Sequence, residues 1–418
     1  MNVLIKSATI VAPDDHSLHL KKRDIHVKNG KITAIRTKIP EESDMRIIGL
    51  DNLHVSLGWF DSGVAFGEPG YEERETLNKG LEVASKSGFT EILLNPNTHP
   101  SPDTSSDIVF LKERSARKST ILYPLGNVTV EGKGQALAEM YDMHQAGAVA
   151  FYDFKAPIDN ANLMKIALQY VQNFDGLVFS YPLDKEVKGK GVANEGEVSM
   201  RLGLKGIPAL AEELQIARDL YILEYTGGKL HIPTISSEGS VKLVADAKKK
   251  GLDVTCSVAV HNLLLADSCL EEFDSSYKLM PPLRTQKDAK ALQKAVLKGI
   301  IDLVTTDHTP LDIEEKRVEF DNAGYGTIGL ESAFGALNSI FGMEKTIALL
   351  TRGRSRFGLE IPKMEIGALA NLTLFNPNGT STFDQQHILS TSKNSAFIGQ
   401  KLLGNVYGVI NNGKVTLA

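Results

Sequence analysis

The chain is short of several things, and each shortage narrows what it can be. Among 418 residues there are two cysteines, Cys256 and Cys269. Two thiols cannot build a disulfide framework, and Cys256 falls in an apolar, strand-like run, so a reduced cytoplasmic setting is expected. No uncharged apolar stretch approaches the roughly 20 residues that span a bilayer. The opening Met-Asn-Val-Leu-Ile-Lys lacks the charged-then-apolar layout of a secretion signal. There is no long run of either charge, and the formal net charge is −5, which argues against nucleic acid and membrane as partners. No Gly-x-Gly-x-x-Gly follows the first β-rich run, so nothing there points to a nucleotide. Repeats of 20 to 50 residues and low-complexity tracts are also missing.

What is present is organised as two similar ends around a different middle. Residues 2–12 and 24–36 are short β-rich runs, and Asn29-Gly30 interrupts the second. Both residues tolerate positive φ, which makes the pair a hairpin signal. Ala370–Phe375 and Tyr407–Thr416 repeat the style, with Asn412-Gly413 as the turn. The ends are expected to pair into one small β-sandwich domain built from residues 1–54 and 364–418. Between them, apolar strand-like runs alternate with helix-period segments such as Glu212–Tyr225 and Gly239–Lys250. The strand candidates are Leu53–Phe60, Glu91–Asn97, Ile121–Asn127, Ala148–Asp153, Leu177–Tyr181, Lys229–Ile235, Asp253–Val260 and Asp302–Asp307. Eight βα units predict an α/β fold, a (β/α)8 TIM-type barrel over residues 55–363, with a doubly wound open sheet as the competing arrangement. In a barrel, function sits at the C-terminal strand ends.

Those strand ends carry a recognisable frame. Residues 55–70 read Val-Ser-Leu-Gly-Trp-Phe-Asp-Ser-Gly-Val-Ala-Phe-Gly-Glu-Pro-Gly. This resembles the first barrel strand of the dihydroorotases and related cyclic amidohydrolases of the amidohydrolase superfamily, which ends Asp-x-His-x-His-x-Arg-Glu-Pro-Gly. Asp61, Glu68, Pro69 and Gly70 match. Gly63 and Ala65 stand where the two metal-binding histidines belong, and Gly67 where the substrate-carboxylate arginine belongs. The resemblance continues along nearly the whole chain, through Gly191–Arg218 and Tyr325–Glu331. Tyr181 and Thr234 replace two further histidine ligands. Asp153 matches the bridging carboxylate, and Asp307, in Thr-Thr-Asp-His-Thr-Pro, matches the carboxylate that binds metal and shuttles the proton. Asn97, His261 and Arg284 match or neighbour substrate-binding positions, while Met280 replaces an asparagine that often contacts the ring. His231 matches a non-ligating histidine, and it and His308 are expected as core or supporting groups rather than ligands.

The resemblance implies dihydroorotase chemistry in pyrimidine biosynthesis, the reversible closure of N-carbamoyl-aspartate on a zinc pair. Zinc favours nitrogen and sulfur donors. Two carboxylates, Asp153 and Asp307, would hold at most one weak, oxygen-ligated divalent cation. No zinc pair and no other cofactor are therefore expected. An ordinary aspartate, with a pKa near 3.9, is a poor base at neutral pH. Tyr181 and Thr234 are expected to fill the space of the lost imidazoles and to hydrogen-bond the surviving aspartates. Some family members without ligands serve as non-catalytic partners of aspartate carbamoyltransferase, and the resemblance implies that scaffolding or regulatory role here. The alternative expectation is an active dihydroorotase or other cyclic amidohydrolase with a reduced site, one metal on Asp153 and Asp307 and Tyr181 as acid. A third is a sensor of a small acidic or cyclic-amide ligand. The family's habit of dimerising extends the expectation to a homodimer.

Overall fold

A computed structural model describes all 418 residues. Its first division falls at Gly58. Ahead of it, His54–Leu57 pairs with Asn2–Ile10 on one side and Leu372–Thr382 on the other. After it, Trp59–Val64 opens a different, parallel sheet with Phe89–Leu94. A Cβ on Gly58 would lie 1.9 Å from Asn371 Oδ1 and 2.2 Å from Thr90 Oγ1. The chain turns this tight corner because no side chain is there. The single strand expected over Leu53–Phe60 is thus corrected to two strands in two sheets, and the terminal module runs through Leu57 rather than stopping at residue 54.

The terminal sheet runs Lys414–Leu417, Lys401–Asn411, Leu372–Thr382, His54–Leu57, Asn2–Ile10, Lys22–Lys28, Lys31–Arg36, with Arg46–Ile48 also on Asn2–Ile10. Both Asn-Gly pairs make the hairpins their backbone freedom favours, with φ of 52° and 78° at Asn29 and Gly30 and of 49° and 69° at Asn412 and Gly413. The sheet closes over Ile5, Ile10, Val27, Val55, Leu372 and Leu374 as a small β-sandwich formed by both chain ends.

The middle is a (β/α)8 barrel. Its strands are Trp59–Val64, Phe89–Leu94, Ile121–Pro124, Val178–Phe179, Leu230–Ile232, Val254–Ala259 and Leu303–Thr305. The fourth is reduced to Phe151, which bridges Gly126 and Val178. Val64 and His308 close the ring, with Ala65 N donating to His308 O at 2.8 Å. Trp59–Val64 and Phe89–Leu94 are buried along their whole length, because the helices Met343–Thr351 and Leu77–Lys86 cover their outer faces while side chains fill the inside. No helix is long and apolar enough to cross a membrane.

Two features join barrel and sandwich. Trp59 stacks on Phe334 with centroids 4.9 Å apart and contacts Phe375 at 5.7 Å. Beneath it the buried Arg354 meets Glu91 and donates to Gly58 O at 2.8 Å, while Asn371 Nδ2 donates to Glu91 at 3.0 Å. A buried charge is tolerated only when paired and hydrogen-bonded, and both ions here are. The strand ends that carry the candidate site are at the opposite end of the barrel.

Candidate functional site

The first strand shows why the family frame persists without its ligands. Asp61 staples the first strand to the eighth. Its carboxylate accepts from Gly63 N at 3.0 Å, Thr305 Oγ1 at 2.6 Å, Thr306 N at 3.1 Å and the Thr306 hydroxyl. Glu68 accepts from Leu77 N at 2.7 Å and so caps the helix Leu77–Lys86. These frame residues have structural work that does not involve a metal.

The positions that would carry histidines have been refilled. A Cβ on Gly63 would sit 2.7 Å from Thr305 Oγ1. Ala65 is fully buried. Gly67, at the arginine position, has φ +124°, and a Cβ there would sit 2.6 Å from Tyr71 O. Tyr181 packs in one apolar cluster with Tyr152, Phe179, Leu183 and Met280, and burial pushes its hydroxyl pKa well above the usual phenol range. Thr234 is buried with φ 50°, and its hydroxyl has no partner. Neither hydroxyl bonds an aspartate. That expectation is corrected, because each aspartate already has other partners.

Asp153 is turned into the loop after the third strand. Its carboxylate accepts from Val128 N at 2.9 Å, Thr129 N at 3.1 Å and Thr129 Oγ1 at 2.5 Å. Asp307, in a left-handed backbone with φ 47°, receives Lys155 Nζ at 2.9 Å. Burial pushes the Asp307 carboxyl up, and the Lys155 ammonium and its hydrogen bond pull the other way. The structure therefore gives the two expected metal carboxylates separate hydrogen-bond partners.

The three expected substrate residues also differ in placement. Asn97 lies in the wall of the mouth cavity with its Oδ1 buried and unpartnered. His261 is fully buried with both ring nitrogens unpartnered, and burial pushes its pKa down to about 3. Arg284 is away from the mouth. Its guanidinium donates to Ser236 Oγ at 3.1 Å, Asn194 Oδ1 at 3.0 Å and Ile207 O at 2.7 Å, with Glu212 at 3.7 Å. Supporting roles suit His231 and His308. His231 bonds Thr255 Oγ1 at 2.8 Å and Ser257 Oγ at 3.2 Å. His308 Nδ1 accepts from Gly329 N at 3.2 Å, and burial pushes its pKa down to about 3.

Two spaces remain at the strand ends. The inner one, bounded by Asp307, Thr234, Ser257, Thr305, Asn95 and Gly63 among others, has a volume of about 10 Å³, at most one water. The outer one is an open cavity of about 1040 Å³. Phe154 lines both. Lys155, in the outer wall, reaches past it to Asp307 in the inner wall. Reading the residues one by one missed Asp61 as a staple and Lys155 as the partner of Asp307. Lys155 lies two positions beyond Asp153, in a turn where its φ is 52°, and no local sequence signal points from there to Asp307.

The frame implies a zinc pair. Zinc sites take three or four protein ligands, mostly nitrogen and sulfur. The inner space offers one carboxylate, already ion-paired, and neutral hydroxyls and amides. Nowhere in the chain do three His, Cys, Asp or Glu side chains converge as a metal site requires. These residues do not fit a zinc pair.

Residues 49–240 match the sequence family described as Dihydro-orotase-like. The chain is 37% identical to a dihydroorotase of Pelotomaculum thermopropionicum over 100% of its own length and 99% of the relative's. It is 36% identical to a dihydroorotase of Carboxydothermus hydrogenoformans, covering 97% of this chain and 95% of that one. Among solved structures, an L-hydantoinase (dihydropyrimidinase) from Arthrobacter aurescens superposes with a TM-score of 0.85 at 22% identity, over 99% of this chain and 95% of that one. A D-hydantoinase from Thermus sp. gives 0.83 at 20% identity over the same shares. At such identities these two structures speak to the fold alone.

Proposed function

Because the chain belongs to the dihydroorotase family, we propose that it is a member without metal-assisted turnover, serving as a non-catalytic regulatory or scaffolding partner of aspartate carbamoyltransferase in pyrimidine synthesis. One observation carries the first half. The space where two ions would sit measures about 10 Å³, and its single carboxylate is held by Lys155. Ring closure or opening of a cyclic amide needs a polarised carbonyl and an activated oxygen nucleophile or proton acceptor, which a metal pair supplies. Here Asp307, the proton-shuttle position, already has a cation as partner. The second half rests on the retained frame: Asp61 and Glu68 keep the mouth and the first helix in place while the ligands are gone.

The alternative enzyme, with one metal on Asp153 and Asp307 and Tyr181 as acid, needs both carboxylates on one ion. Their separate hydrogen-bond partners count against it. The deciding experiment is elemental analysis of the purified protein beside an assay of carbamoyl-aspartate cyclisation. Sub-stoichiometric zinc and no rate above background are expected. Two equivalents of zinc with robust cyclisation would overturn the proposal. Co-purification from the native host tests the partner: a bound carbamoyltransferase is expected, and its absence removes the scaffolding half.

A further inference from the structure

Between the strands Leu372–Thr382 and Lys401–Asn411 the chain leaves the sandwich, and residues 389–394 cross to the barrel mouth. This strap ties together the loops that follow the first and eighth barrel strands. Ser392 Oγ donates to Arg74 O at 2.8 Å, and Asn394 Nδ2 donates to Thr309 O and to Gly326 O at 3.2 Å. Arg74 and Thr309 both line the mouth. Two acids on the barrel hold the strap. Glu331, in the helix Leu330–Phe341, accepts through Oε1 from Leu389 N at 3.2 Å, Ser390 N at 2.9 Å and Ser390 Oγ at 2.7 Å. Glu75, just ahead of the helix Leu77–Lys86, accepts from Thr391 N and Thr391 Oγ1 at 3.0 Å. Three consecutive strap residues therefore depend on two carboxyl groups.

The surroundings do not neutralise both. Glu75 is fully buried, and Glu331 Oε2 is buried with no donor. The nearby cations have other partners. Lys79 and Lys86 pair with Glu82 at 3.8 Å and 3.0 Å, Arg74 with Glu315 at 3.0 Å, and His387 with Asp384 at 2.8 Å. Lys393, on the strap itself, donates to Ile388 O and Ser390 O. A buried carboxylate without a cation is unfavourable, and a like charge beside it makes it more so. Burial, aided by the charge on Glu331, pushes the Glu75 carboxyl up to about 7 against the Thr391 hydrogen bonds and the Lys79 ammonium.

We infer that residues 389–394 are a proton-controlled clasp on the barrel mouth, closed while Glu75 is neutral and released when Glu75 and Glu331 are both ionised. Release frees the two rim loops that the strap ties, so the mouth loosens as the pH rises. The clasp works the same way whether or not the mouth holds a metal or turns anything over. Glu75 has its ordinary value of 4.5 once it meets water and about 7 when clasped. The proton therefore favours the closed form. The clasp is at full strength below pH 4.5 and weakens as the pH rises through 7. From these two values the closing equilibrium falls roughly tenfold between pH 6 and 8.

The test is hydrogen–deuterium exchange of the full chain at pH 6, 7 and 8, with protection taken relative to the intrinsic exchange rate at each pH. Peptides from residues 383–400 are expected to lose protection roughly tenfold from pH 6 to 8. Peptides covering residues 71–76 should follow them, and the barrel strand Val254–Ala259 should keep its protection. Glu75→Gln stays neutral at every pH and should flatten the strap profile. His387→Asn removes the strap's imidazole and should leave the profile as in the parent. Should Glu75→Gln fail to fold, the parent and His387→Asn profiles still decide. Equal strap protection at pH 6 and 8, or loss of it only together with Val254–Ala259, would overturn the inference. So would a profile that Glu75→Gln retains or that His387→Asn abolishes.

Discussion

Gly63 offers the sharpest test of why the first-strand ligand is gone. A methyl group there would lie 2.7 Å from Thr305 Oγ1, 3.6 Å from Thr305 Cβ and 3.7 Å from its Cγ2. Thr305 cannot swing aside freely. Its hydroxyl donates to Asp61 at 2.6 Å and accepts from Asp307 N at 3.2 Å. Overpacking costs about 1–3 kcal/mol, and losing a hydrogen bond to a charged group costs about 1.5–3 kcal/mol. Some relaxation is available, so Gly63→Ala should destabilise by roughly 2–4 kcal/mol. Thr305→Ala alone should cost about 2 kcal/mol for the lost bond to Asp61. With the hydroxyl removed the methyl fits, and the double variant should be about as stable as Thr305→Ala, a coupling of roughly 2–4 kcal/mol, the whole cost of Gly63→Ala. Urea unfolding followed by fluorescence reads this directly, since Trp59 is the single tryptophan and is fully buried between barrel and sandwich. If Gly63→Ala unfolds within about 0.5 kcal/mol of the parent, or if the two changes simply add, the reasoning fails. A histidine at this position begins with the same Cβ, so restoring the ligand requires opening Thr305 first.

Three further outcomes are expected. Glu75 is buried, and burial pushes its pKa up to about 7 against the opposing hydrogen bonds from Thr391 N and Oγ1. The folded value is above the unfolded one, so its contribution is fully present below about pH 4.5 and is lost as the pH rises through 7. Relative to Glu75→Gln, the parent should therefore lose roughly 3 kcal/mol between pH 4 and 8, and a pH-independent difference in urea midpoints would contradict this. Arg284→Met should destabilise by about 3 kcal/mol, because it leaves Glu212 buried without its cation. Urea unfolding reads this, and an unchanged midpoint would count against that pairing. Cys256 is fully buried with its thiol pKa pushed up to about 12, whereas Cys269 is half-buried. Ellman's reagent should then titrate no more than one thiol before unfolding and two after it; two fast thiols in the native protein would show that the barrel opens.

Much of this molecule is decided by local chemistry that a single chain displays. The hairpins at Asn29-Gly30 and Asn412-Gly413 need only residues that accept positive φ. The βα alternation needs only the change of period between apolar runs. The missing imidazoles need nothing beyond the identities of Gly63, Ala65, Tyr181 and Thr234, since no fold lets a glycine or alanine side chain bind a metal. What those identities cannot contain is the choice of partner. Lys155 meets Asp307 across 152 positions, and Thr305 meets Asp61 across 244. Asp153 is drawn to Val128 and Thr129, and Arg284 to Asn194 and Ile207. Each is a charged or polar group that must find donors or acceptors once water is excluded. Which of them it finds depends on which strand ends close the barrel side by side, and only the folded chain brings those ends together.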